Sequence, residues 1–366
     1  MILFLIYLLV YSIYLVVFLW GGWKRLHTKI ASNTNDESIG LESITVIIPF
    51  RNEEKRIIPL LNSIGETKHL PIEVIFVDDH STDKSPRLIE QITNESIKLI
   101  SLPNSIKGKK RAIEQGVLAA NTEYILTLDA DIQLSKAYFL NIGKLEQADL
   151  HVLPVAHTSS NLLYRFIQQD VLLANFLNVA IAGWKRPIFC SGANLLFRKS
   201  EYLEATNNSS YFEIDSGDDV FLLREFQLNN KQIEFQTDSS LEVQTELPQS
   251  IPDFFHQRMR WLGKAFKVGD SLANTLAQLQ FFFAFANIIF LLGCILGLPL
   301  THAVSLVLLK TLLELVFSFS FFKNNGQLGL WIFVPIYLLI LPILNGIMLL
   351  AFLGYKPKWK DRLVVQ

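Results

Sequence analysis

The chain of 366 residues is long enough for one large or two ordinary domains. A formal net charge of −1 gives no overall attraction to nucleic acid, and two cysteines, Cys190 and Cys294, exclude a disulfide framework or a cysteine-rich metal site. Half of the residues are hydrophobic and the mean hydropathy is +0.31, high for a wholly soluble chain.

In chain order, residues 2–20 form an uncharged apolar run of bilayer-spanning length. Lys24, Arg25 and Lys29 follow that run rather than precede it. This order favours an N-terminal transmembrane anchor, residues 1–22, over a signal peptide, with the next segment in the cytoplasm. Residues 30–41 are polar and turn-rich, a linker pattern. Short apolar runs then alternate with helical patterns. The segment ITVIIP (44–49) reads as a strand, with Ile57, Ile58, Leu60, Leu61 and Ile64 at helical spacing after it. EVIFV (73–77), IKLISL (97–102) and YILTL (124–128) read as further strands, with helices between them. Strands alternating with helices predict parallel pairing and a three-layer α/β domain.

In such sheets the ligand lies beyond the carboxyl ends of the strands. There the chain places Arg51, Asn52 and Glu53, then Asp78, Asp79 and Asp83, then Lys107, Gly108 and Lys109, and finally Asp129 and Asp131. Two carboxylates one residue apart in an extended stretch project to one face. They suit one hard divalent cation, Mg²⁺ or Mn²⁺, shared with substrate phosphates. The plainer alternative is a solvated Asp-rich turn.

The segment 249–270 alternates apolar and basic residues at helical spacing, the pattern of an interfacial helix. Three apolar runs follow, 276–298, 304–322 and 328–354, and predict about three transmembrane helices over 276–354. Lys310 and Glu314, four apart, read as a structural ion pair. The expected placement is an integral protein of a bacterial inner membrane, its catalytic domain cytoplasmic. The basic tail after residue 354 disagrees with an even-handed reading of three crossings.

From residue 44 to about 265, seven segments in order resemble a membrane-bound family-2 glycosyltransferase, the inverting, nucleotide-sugar-dependent group with the GT-A fold. They are VIIPFRNEE, VDDHSTD, GKKRAIEQG, LDADI, FCSGANLLFRK, SGDDVFL and HQRMRW. The resemblance implies a GT-A domain over 42–248 and a Gln-x-x-Arg-Trp motif on the 249–270 helix. It implies donor binding by Pro49, Arg51, Glu53, Asp78, Asp79, Lys109 and Asp129, and metal ligation by Asp131 with Asp129. Asp219 would be the general base, with Asp218 where Glu is frequent. Gly192, Ala193, Asn194, Gln257, Arg258, Arg260 and Trp261 would serve the acceptor and the diphosphate. Glu114 stands where the family pattern has Asn.

The chemistry fits these residue types. One displacement at the anomeric carbon needs a carboxylate to take the acceptor's proton and cations to stabilise the leaving diphosphate. Plainer roles also exist: Asp218 and Asp219 as helix caps, Arg258 and Arg260 as headgroup binders, Trp261 as an interfacial anchor. The expected donor is a UDP-sugar and the expected acceptor a lipid or glycan. The alternatives are a processive polysaccharide synthase and an inactive membrane adaptor with a nucleotide-binding fold.

Overall fold

The computed structural model describes residues 2–27, 38–67, 69–92, 94–159, 161–207, 217–248, 250–295, 297, 299–324, 326–352, 358–359 and 362–363. Most of the 30–41 linker and of the basic tail lies outside them. The chain forms two compact units, one of residues 30–158, 189–247 and 357–366, the other of residues 1–29, 159–188 and 248–356.

The first of these is an α/β unit with twelve strands among the described residues: β1 (Ile44–Phe50), β2 (Glu73–Asp78), β3 (Ile97–Ser101), β4 (Tyr124–Leu128), β5 (Ile132–Gln133), β6 (Leu150–Val152), β7 (Val155–Thr158), β8 (Asn194–Arg198), β9 (Ile233–Phe235), β10 (Val243–Glu246) and a short antiparallel pair, β11 (Lys358–Trp359) with β12 (Arg362–Leu363). Seven form one sheet in the order β3-β2-β1-β4-β8-β6-β9. Pairing is parallel from β3 to β4 and between β6 and β9, while β8 runs antiparallel to both its neighbours. A smaller sheet has the order β5-β10-β7.

Period-two alternation explains the layering. Val46, Ile48, Val74, Phe76, Leu126 and Leu128 point to one face, where they meet Leu60, Ile64, Ile89, Tyr138 and Phe139 from helices. Ile47, Ile75, Val77 and Ile125 point to the other, against Ala112, Ile113, Val117, Leu222 and Phe226. Helices thus cover both faces, as the alternation of elements predicted. Each fully buried aliphatic side chain in these layers contributes about 1.5–3 kcal/mol. Pro49 sits in β1 at no cost to the ladder with β4, because β4 pairs only with residues 44–47.

The second unit is helical. Its helices are Ile2–His27, Leu162–Ile167, Gln169–Ala182, Ile251–Lys267, Ser271–Ile295, Leu300–Asn324, Leu328–Trp331 and Val334–Phe352. Tyr7, Tyr11, Leu15 and Phe283 form an aromatic-rich core with Leu279, Leu313 and Phe317 packed on it. Lys310 Nζ donates to Glu314 Oε1 at 2.7 Å, and the Tyr11 hydroxyl donates to the same oxygen. Exposed apolar stripes remain at helical spacing: Leu308, Leu312 and Val316 on one helix, and Ile336, Leu339, Ile343, Ile347 and Leu350 on another.

The expected membrane placement is corrected here. Among the described residues no helix is long and apolar enough to cross a membrane. The integral-membrane assignment with a cytoplasmic catalytic domain therefore does not stand. A composition window counts apolar residues without asking what they touch. Here Tyr7, Tyr11 and Leu15 of the first run are consumed by packing on neighbouring helices. The run 304–322 carries the Lys310–Glu314 pair, and the run 328–354 divides into two helices, the second with Pro342 inside it.

Candidate active site

The order β3-β2-β1-β4 reverses direction between β1 and β4. A crevice opens outside the carboxyl ends of two strands at such a point. The turns after β1 and β4 carry Arg51 to Arg56 and Asp129 to Asp131, so strand order alone brings these sequence-distant charges together.

The turns after β1 and β2 are stitched by hydrogen bonds. Arg51 Nη1 donates to the carbonyls of Asp79 (2.6 Å) and His80 (2.7 Å). Asn52 N donates to Ser81 Oγ at 3.0 Å, and Thr82 N to Asn52 Oδ1 at 2.8 Å. Asn52 and His80 both adopt positive φ, at 51° and 58°, a conformation Asn tolerates better than most residues. Asp78 Oδ1 accepts from Ser81 N at 2.9 Å, and Glu53 N donates to Ser85 Oγ at 2.8 Å. Glu53, Asp78 and Asp79 are all buried. Arg51 and Asp78 therefore shape the acidic turns, and Ser85 is a participant that the sequence reading missed.

Lys109 joins two halves of the site. Its Nζ lies 2.8 Å from Asp129 Oδ1 and 3.0 Å from Asp218 Oδ2. Gly108 precedes it with φ 102°, a conformation that favours glycine and starts the helix Lys109–Ala119 with the ammonium at its first residue. Burial pulls the Lys109 pKa down, but the charges of Asp129 and Asp218 outweigh it and hold the ammonium above its usual value. Burial pushes the Asp129 carboxyl up; Lys109 draws it down and Asp131 raises it again, for a net rise. Asp131 Oδ2 meets Arg56 Nη1 at 3.0 Å, and Arg56 Nη2 meets Glu53 Oε2 at 2.7 Å. Arg56 is a second residue the sequence reading missed. Its only signal was its place three residues after Glu53 in a post-strand turn.

Asp218 and Asp219 lie at the start of the helix Val220–Leu228. Asp219 Oδ1 accepts from Val220 N at 2.7 Å, an N-cap contact, and Asp219 Oδ2 accepts from Gly192 N at 3.4 Å. The capping role and a place in the site thus coexist in one side chain. Gly192 is required by the close approach: a Cβ there would stand 2.4 Å from Asp218 Oδ2 and 3.1 Å from Lys109 Nζ. Ala193 is buried beside it.

Asn194 is fully buried, and its amide is engaged internally. It accepts from Tyr138 Oη at 2.6 Å and donates to the carbonyls of Pro154 (2.8 Å) and Leu241 (2.9 Å). It anchors the Gly192–Ala193 backbone rather than presenting its side chain to a ligand. Tyr138→Phe leaves the Asn194 oxygen without its donor. It is expected to lower unfolding free energy by about 1–3 kcal/mol, measurable by urea titration.

Gln257, Arg258, Arg260 and Trp261 share the helix Ile251–Lys267 of the helical unit, whose N-cap Ser250 accepts from Asp253 N. Arg258 is buried between the rings of Phe254 and Trp261, 4.4 Å from each centroid, and donates to Gln257 Oε1 at 2.7 Å. Each ring attracts the guanidinium through its π face.

Among the described residues no group of three or more His, Cys, Asp or Glu side chains is arranged to hold a metal ion. A hard divalent ion that also takes phosphate oxygens needs only one or two protein carboxylates. Asp129 and Asp131 therefore fit an ion that arrives with a diphosphate, and fit poorly an ion held by the protein alone.

Comparison with known proteins follows the same lines. The chain is 39% identical over 111 residues to 4,4'-diaponeurosporenoate glycosyltransferase of Staphylococcus aureus (strain bovine RF122 / ET3-1), a match covering 30% of this chain and 28% of that protein. The matched stretch thus spans little more than a quarter of the curated relative. The fold resembles that of the mannosyltransferase PcManGT from Pyrobaculum calidifontis in complex with GDP-Man and Mn²⁺, with a TM-score of 0.56 and 17% identity over 92% of this chain and 96% of that one. That likeness bears on the fold, and it agrees with the GT-A expectation. The model of glycosyl transferase family 2 matches residues 45–202. That of glycosyl transferase family group 2 matches residues 124–352, more than half of the chain, and the protein belongs to this family of glycosyltransferases.

Proposed function

We propose that the protein transfers one sugar from a nucleotide-sugar donor, a UDP-sugar, to a hydroxyl of a lipid acceptor, with inversion at the anomeric carbon. The observation that carries this reading is the Lys109 bridge. One ammonium ties Asp129, on the donor side, to Asp218, next to Asp219. Donor-side and acceptor-side carboxylates then belong to a single site.

In this reading Asp219 takes the proton from the acceptor hydroxyl as its oxygen attacks the anomeric carbon, and the nucleoside diphosphate leaves from the opposite face. Glu53 and Asp79 hold the nucleoside in the turns after β1 and β2, and Lys109 faces the diphosphate. Gly192 keeps that space open, because any side chain there would collide with Asp218. Asp129 and Asp131 would hold a Mg²⁺ or Mn²⁺ ion, which neutralises charge on the leaving diphosphate. The long-chain acceptor is favoured by the exposed apolar stripes of the helical unit. The likeness to a glycosyltransferase named for 4,4'-diaponeurosporenoate points the same way.

The test is incubation of the purified chain with a panel of UDP- and GDP-sugars, Mn²⁺ and a polyene or long-chain lipid acceptor, followed by mass spectrometry of the lipid. One UDP-sugar should be consumed and the lipid should gain one hexose-type mass. A ladder of added sugars would replace the single-transfer reading with polymer synthesis. No consumption of any donor would leave an inactive adaptor.

A further inference from the structure

Arg56 occupies a position in the site that the displacement itself does not use. It lies in the turn between β1 and the helix Ile58–Glu66, where the Arg56 and Ile57 amides both donate to the Glu53 carbonyl (2.8 and 2.9 Å). The guanidinium reaches Glu53 Oε2 on one side and Asp131 Oδ2 on the other. The two arms differ in setting. The Glu53 side chain is only 9% exposed, whereas Asp131 is 27% and Arg56 itself 47% exposed. Both carboxylates after β4 are thus neutralised by protein cations, Asp129 by Lys109 and Asp131 by Arg56. Lys109 is the less exposed, at 21%, and is held by two acids. Arg56 is the one with room to move.

We propose that Arg56 is a resident counter-ion for Asp131 in the donor-free protein, which gives up that carboxylate to a divalent cation when a diphosphate arrives and turns its guanidinium to the phosphate. The proposal rests on the metal and donor assignments made above. Two cations on one carboxylate edge repel each other, so Arg56 opposes binding of the metal alone. A diphosphate supplies the guanidinium with a new partner of matching geometry. Metal and nucleotide then help each other bind, and by linkage the help is mutual. Arg56 is in this sense a positioning residue.

The experiment measures Mn²⁺ binding to the full chain by electron paramagnetic resonance of the free ion, with and without UDP. Without nucleotide, Arg56→Ala should bind Mn²⁺ about fivefold more tightly than wild type, the scale of one partly exposed ion pair. UDP should then strengthen its Mn²⁺ binding less than it does in wild type. Arg56→Lys keeps the charge and should stay near wild type without nucleotide, while UDP should strengthen its Mn²⁺ binding less, because an ammonium lacks the fork. Arg56→Gln keeps hydrogen-bond donors without charge and should follow Arg56→Ala, which guards against a folding artefact in the alanine variant. Unchanged or weaker Mn²⁺ binding in both neutral variants overturns the proposal. Asp131→Asn separates the two levels. If it binds Mn²⁺ as wild type does, the metal assignment itself fails. If it loses Mn²⁺ while the Arg56 variants are unchanged, only the role of Arg56 falls.

Discussion

Asp219→Asn is expected to bind donor with near-normal affinity while transfer falls roughly 10²–10⁴-fold, the range for loss of a general base. The substitution separates the two jobs of this side chain. As helix cap, Asp219 accepts the Val220 amide at 2.7 Å, and Asn caps helices about as well as Asp. The helix Val220–Leu228 should therefore persist, and the contact given up is the long one of 3.4 Å from Gly192 N, because Asn has one acceptor oxygen. What is lost is the capacity to accept a proton. Asp219→Ala would remove the cap as well and cost about 1 kcal/mol of stability in addition. The pair of variants thus distinguishes chemistry from architecture: thermal unfolding should move for Ala and hardly for Asn, and transfer should collapse in both. Calorimetric titration of donor checks the binding claim. A near-wild-type transfer rate in Asp219→Asn would move the base to Asp218, which lies against Lys109.

The parts of this protein that were legible in its sequence are those in which neighbours along the chain are also neighbours in space. Residues 44–50 and 124–128 are apolar runs with one threonine each, bounded by polar turns, and both are fully buried strands. Asp129 and Asp131 were conspicuous because they end such a strand, and the parallel order then places them beside the turn after β1. The Lys109 bridge was not legible, because its two carboxylates lie on other elements, and only strand order brings them to one ammonium. Arg56 was hidden for a different reason. Among Arg51, Glu53, Glu54, Lys55 and Arg56 it reads as one more solvated charge, and nothing local marks Asp131 as its partner. The reversal of β8 was equally invisible, since a buried strand has the same residue pattern in either direction. Asn194 illustrates a residue type that sequence places in a site by motif and structure places behind it, holding the backbone that approaches Asp219. The apolar runs were misread because hydropathy does not record packing partners: Tyr11 and Phe283 meet edge to face at 4.9 Å, and both count as membrane-compatible residues until that contact is known.

Removing divalent ions, or replacing Asp131 by Asn, is expected to lower transfer by about 10²–10³-fold, the scale for losing one stabiliser of transition-state charge. The geometry makes Asp131 the sensitive member of its pair. Asp129 is tied to Lys109 at 2.8 Å inside a three-charge cluster with Asp218, so it has little freedom to reorganise. Asp131 meets the partly exposed Arg56, and an exposed pair of that kind is worth about 0.2–1 kcal/mol. A divalent ion paired with a diphosphate competes readily against so small an energy. Asn at position 131 keeps the size and one oxygen but removes the charge, so very high Mn²⁺ should restore part of the activity of the variant, whereas wild type should recover completely at moderate Mn²⁺ after chelation. Transfer assays across a Mn²⁺ titration, run in parallel on both proteins after EDTA treatment, read this directly. Full activity of wild type in the presence of EDTA would mean that Lys109 and the arginines alone stabilise the leaving diphosphate, and that the carboxylates after β4 serve only to hold Lys109 and Arg56 in place.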